Sequence, residues 1–194
     1  MAARIAYMSS DAPNPPSAAV VVERLRTEAT TWSNAVTLQA GRIGRRHRKR
    51  YLEPAEAEAL EIDLHFFLVA LVRLRRCVSR VGSHVSAIEP SLSRHLRSFD
   101  EAVPSLAKLR NVSEHIDEYN LDAGQDRSVS RRQVQNWYMD SSPSGGLIWA
   151  WLGERLDVGV AEGGATTLYK GLCDVCDSWT RENGAEHPTR PPDR

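Results

Sequence analysis

Lysine is nearly missing from this 194-residue chain: three lysines stand against 22 arginines. So lopsided a ratio is a mark of GC-rich coding, and abundant arginine alone is therefore weak reason to expect phosphate binding. Net charge is missing too, since 25 basic residues balance 25 acidic ones. No global field draws the protein to nucleic acid or membrane, and any such attraction must be local. Cysteine is scarce: Cys77, Cys173 and Cys176 are too few and too unevenly placed for a disulfide scaffold. No apolar run approaches the ~18 residues needed to cross a bilayer. The first 17 residues lack the apolar core of a signal peptide, so a cytoplasmic protein with no membrane association is expected. There is no Gly-rich phosphate loop, serine nucleophile elbow or kinase signature. The paired Glu-x-x-His helices of a diiron bundle are absent as well, and the sequence calls for no metal or cofactor.

What remains is ordinary globular material, 41% apolar and 26% charged, long enough to bury a core. Residues 1–16 end in Asp11-Ala12-Pro13-Asn14-Pro15-Pro16 and read as an arm. Residues 184–194 carry three prolines and read as a tail. Between them, 17–183 reads as one helical domain. A first helix is expected from about Ser17 to Arg50, burying Val21, Leu25, Trp32, Val36 and Ile43. A second opens at Pro54, a residue suited to the first turn. Its Leu60, Leu64, Phe67, Leu71, Leu74, Val78 and Val81 alternate spacings of four and three, the rhythm of a bundle seam. Arg73, Arg75, Arg76 and Arg80 suit its C-terminal end.

A third main helix is expected from Ser98 or Val103 to Tyr119, with Ser98-Phe99-Asp100-Glu101 resembling a capping box and Pro104 as a kink or first turn. The runs 134–139, 147–152 and 155–158 read as short strands around Ser141-Pro143-Gly145 and Gly153-Glu154. A last helix capped by Asp157 runs to about Glu182, with Ala161, Ala165, Leu168, Leu172, Val175 and Trp179 at helical spacing. The fold expected is mainly α, an up-and-down four- or five-helix bundle with a small antiparallel β-hairpin before the last helix.

On the third helix, a count of about 100° per residue puts Leu106, Leu109, Val112, Ser113, Ile116 and Tyr119 on the core side. Arg110, Asn111, Glu114, His115, Asp117 and Glu118 fall on the polar side. Asn111 and His115 should touch, as should Arg110 and Glu114. Arg110 and His115 lie roughly 140° apart. The chain has three Arg-to-His steps of similar length, Arg42–His47, Arg110–His115 and Arg181–His187. Only in the second is the arginine followed by an uncharged polar residue, Asn111, and only this one lies inside an amphipathic helix.

Arg110-Asn111 followed by His115 on a late helix resembles the HEPN superfamily, whose signature is Arg, a polar residue, and His after a gap of four to six. That resemblance implies a helical bundle acting as a homodimer, with two motifs facing across a cleft. It implies a metal-independent endoribonuclease acting on RNA, in some members a toxin paired with a nucleotidyltransferase-type antitoxin. His115 would exchange protons near neutral pH. Arg110 would hold phosphate, Asn111 would orient His115 or the ribose, and Glu114 would fix Arg110. With the motif on the polar side, a second copy is required to enclose it. The alternative reading is a non-catalytic bundle that binds a protein or a small ligand.

The one dense basic cluster, Arg42, Arg45, Arg46, Arg48, Lys49 and Arg50, is a candidate RNA contact; its structural alternative is a helix C-terminus complementing the dipole. The pair Cys173/Cys176 lacks the second pair a zinc site needs and reads as packing. His65 reads as a buried or interface histidine. Trp137, Tyr138, Trp149 and Trp151 read as core cover or as a partner surface.

Overall fold

A computed structural model describes residues 16–48, 53–141 and 146–183. The expected arm and tail, apart from Pro16, lie outside the described residues, as do Lys49 and Arg50. Helix α1 (Ala18–His47) and helix α2 (Pro54–His84) form a long antiparallel pair. Then come α3 (Glu89–Ala102), α4 (Leu106–Glu114), α5 (Ile116–Asn120) and α6 (Arg131–Gln135). Strands β1 (Trp137–Ser141), β2 (Leu147–Trp151) and β3 (Glu154–Asp157) precede α7 (Val158–Glu182), the last helix. The protein is mainly helical, with a small antiparallel sheet before that helix, as its sequence implies.

Helix α2 is the centre of the molecule. Every seam position from Leu60 to Val81 is buried to 1% exposure or less. The neighbours α1, α3, α4 and α7 all pack on it. Burying a Leu, Val or Phe side chain contributes about 1.5–3 kcal/mol, so this row of seven outweighs any surface ion pair in holding the bundle. On α1, Val36 and Ile43 are buried as expected. Val21, Leu25 and Trp32 are only half-buried, because Val22, Ala29 and Ala40 take the deepest positions. Helix α7 begins where Asp157 accepts a hydrogen bond from the Val160 N–H at 3.0 Å. It buries Ala161, Ala165, Leu168, Leu172 and Cys176.

The segment expected as one third helix is three. Val103 leaves helical geometry (φ −131°, ψ 60°) before Pro104, whose ring disfavours the helical conformation in the preceding residue. A second break falls at His115 (φ −121°, ψ 30°), which ends α4 and caps α5. Ser98 lies inside α3, so the Ser98–Glu101 capping box does not exist. The capping box is at Ser130–Gln133, opening α6. Val134 therefore sits in that helix rather than in the first strand.

The sheet has the order β1-β2-β3, with Trp137 opposite Trp151 and Ile148 opposite Asp157. Leu152 (φ 58°) and Gly153 (φ 77°) turn β2 into β3. Two consecutive positive φ values make the tight turn whose twist matches the strands. The Lys108 ammonium of α4 donates to the Leu152 carbonyl (3.2 Å) and to Glu154 (2.9 Å), tying the sheet to the motif helix. Among the described residues no helix is long and apolar enough to cross a membrane.

Candidate functional site

Helix α4 runs antiparallel to α2. Its C-terminal end is fixed by Ser113, whose hydroxyl lies 3.0 Å from His65 Nδ1 at the middle of α2. Its N-terminal half lies beside the C-terminal half of α2. Between the two is an open groove of about 880 Å³. Val72, Val103, Pro104, Leu106 and Ala107 give it an apolar floor, and Arg75, Arg76, Arg80 and Arg110 line it with positive charge. Asp100 of α3 holds Arg75 by two bonds of 2.6 Å. Glu114 pairs with Arg110, as their spacing predicts. Arg110 Nε is buried without a hydrogen-bond partner. A floor of this kind suits a flat apolar group, and guanidinium forks suit phosphate or carboxylate oxygens.

The other motif residues face elsewhere. Asn111 donates to the Tyr119 hydroxyl at 3.3 Å, not to His115. The expected Asn111–His115 contact fails because the break at His115 interrupts the helical count on which it depended. Tyr119 is buried, and its hydroxyl also accepts the Asp126 N–H at 3.0 Å. Asn111 is therefore part of a structural network. His115 lies 3.1 Å through Nδ1 from Glu118 and is 40% exposed. A carboxylate on Nδ1 fixes the ring and leaves Nε2 outside that bond. Glu118 thus plays an orienting part that the sequence reading did not give it. Within one chain, Arg110 and His115 are not brought together on a common ligand-sized space, since His115 does not line the groove.

The basic cluster at the end of α1 divides. Arg46 donates to Asp63 at 2.9 Å and Arg42 approaches the same carboxylate at 3.8 Å. Asp63 is buried, so these two arginines hold α1 against α2. Arg45 and Arg48 are exposed. His65 is half-buried, edge-on to both Trp149 (5.7 Å) and Trp151 (5.3 Å), which stack on each other. Burial depresses its pKa, outweighing the opposing pull of Glu61. Trp149 and Trp151 are core, Trp137 is half-buried and Tyr138 is exposed. Burial pushes the Cys176 thiol up to about 11, which fits packing rather than reactivity. Among the described residues no group of three or more His, Cys, Asp or Glu could hold a metal ion.

Spacing along the chain does not bring the groove arginines together with Arg110. Arg75, Arg76 and Arg80 read as cations complementing a helix end; only the antiparallel placement of α4 turns them toward Arg110. No family model, curated protein or solved structure matches the chain.

Proposed function

We propose that the protein is a HEPN-like, metal-independent endoribonuclease that works as a homodimer, its arginine groove holding backbone phosphate. The observation that carries this reading is the meeting of Arg110 with Arg75, Arg76 and Arg80 in one groove. Arg110, with Arg75 and Arg80, neutralises the phosphodiester. His115, held by Glu118, moves the proton of the 2′-hydroxyl or of the leaving oxygen through Nε2. Because His115 lies off the groove of its own chain, the second copy supplies the missing half of the site. Pairing with a nucleotidyltransferase-type antitoxin belongs to the same proposal and rests on the resemblance alone.

The three separate partners of Arg110, Asn111 and His115 favour a second reading, in which the groove binds a small anion or an acidic protein segment without chemistry. RNA cleavage in the presence of a chelator separates the two. Wild type should cleave, and His115→Ala and Arg110→Ala should each lose about 10²–10⁴-fold in rate. Equal rates in all three proteins would end the ribonuclease reading, and binding without cleavage would favour the second.

A further inference from the structure

The outward positions of α2 form one stripe at helical spacing: Glu58, Ile62, Phe66, Val69, Arg73 and Arg76 are all exposed. Its middle is apolar, with Ile62 55%, Phe66 58% and Val69 38% exposed. Its N-terminal end is acidic and its C-terminal end basic. Arg73 already leans over the Trp32 ring, 5.9 Å from its centre. Neither Glu58 nor Arg76 forms an ion pair with another described residue. Three large apolar side chains in a row on a helix that is otherwise the molecular core are the mark of a contact surface.

The charge order decides the occupant. A stripe that reads acid, apolar, base is its own complement when a second copy runs antiparallel, and it repels itself when the copy runs parallel. We infer that this face of α2 is where a second copy of the chain docks, antiparallel, about a two-fold axis passing between Phe66 and Val69. Phe66 of one copy then meets Val69 of the other, Ile62 meets the aliphatic stem of Arg73, and Glu58 meets Arg76. Each contact occurs twice, as an isologous interface requires.

The pairing has a consequence for the candidate site. Ser113 is bound to His65, the neighbour of Phe66 in sequence, so the end of α4 lies beside the middle of the stripe. Two-fold docking brings both α4 ends to one seam, where Arg110 and His115 of different copies can share a substrate. That consequence rests on the ribonuclease reading, whereas the docking itself does not.

Sedimentation of the full chain over a concentration series tests the docking without reference to RNA. Wild type should dimerise. Phe66→Glu should be monomeric with unchanged far-UV circular dichroism, the position being exposed. Glu58→Arg and Arg76→Glu should each weaken the dimer about tenfold, and the double variant E58R/R76E should recover most of that loss. A wild type that stays monomeric, a Phe66→Glu dimer as tight as wild type, or a double variant no better than the singles would overturn the inference. If Phe66→Glu fails to fold, the charge-swap rescue alone decides. A dimer that forms as described but cleaves no RNA would overturn the ribonuclease reading and leave the docking intact.

Discussion

Adding one methyl group at either of two glycines should move stability in opposite directions. Gly124 is buried, and a Cβ placed there would sit 2.2, 2.3 and 2.6 Å from three ring atoms of Tyr119. Tyr119 is 1% exposed, so its ring has no free space to enter. Its hydroxyl accepts from the Asp126 N–H and the Asn111 amide, and displacing the ring strands both donors. Overpacking costs about 1–3 kcal/mol; an orphaned part-buried donor adds roughly 1 kcal/mol. Gly124→Ala should therefore cost about 2–4 kcal/mol, and a chain of this size loses about 2–4 °C of Tm per kcal/mol. Gly163 is the control. It lies inside α7, exposed, with nothing within 4 Å of an added Cβ. Gly163→Ala should stabilise by about 0.5–1 kcal/mol through helix propensity. Thermal and urea unfolding of both variants would read the difference. A Gly124→Ala protein as stable as wild type would refute the packing of Tyr119 and the place of Asn111 in its network.

Two further perturbations read other elements. Burial keeps the His65 pKa below the ordinary imidazole value of 6.5. The unfolded chain then takes up the proton first, so this contribution is present above that value and lost as pH falls through the folded value. The urea midpoint of His65→Gln should decline less than wild type between about pH 7 and 5, and identical slopes would contradict the burial. Asp157→Ala removes the acceptor of the Val160 N–H and should cost about 1 kcal/mol in chemical denaturation; no loss would mean that α7 is started by its packing alone.

The parts of the fold legible in the sequence are those where local and tertiary preferences agree. Pro54 and the alternating rhythm from Leu60 to Val81 predict α2 because the same positions that favour a seam are the ones the bundle buries. Asp157 predicts the start of α7 for the same reason. The stretch from Ser98 to Tyr119 was less legible. Pro104 announced one break, but nothing at His115 announces the second: Val112, Ile116 and Tyr119 keep a helical spacing across it, and only the packed backbone departs. The candidate site divides along that line. The Arg110–Glu114 pair lies before the break and follows the helical count, while Asn111 and His115 straddle it and find Tyr119 and Glu118 instead. The groove itself could not be read from spacing, since its arginines come from two helices whose mutual placement is set by tertiary packing.

If the groove between α2 and α4 is a phosphate site, single-stranded RNA must bind with a salt dependence that its arginines set. Each arginine that contacts a phosphate contributes about 0.7 to the slope of log affinity against log salt concentration. Arg80→Gln and Arg110→Gln should each weaken binding of unrelated sequences about equally and lower the slope by about 0.7, and the double variant should lower it by about 1.4. Wild-type binding with a slope that neither substitution changes, or no binding at low salt, would mean that the groove holds no phosphate.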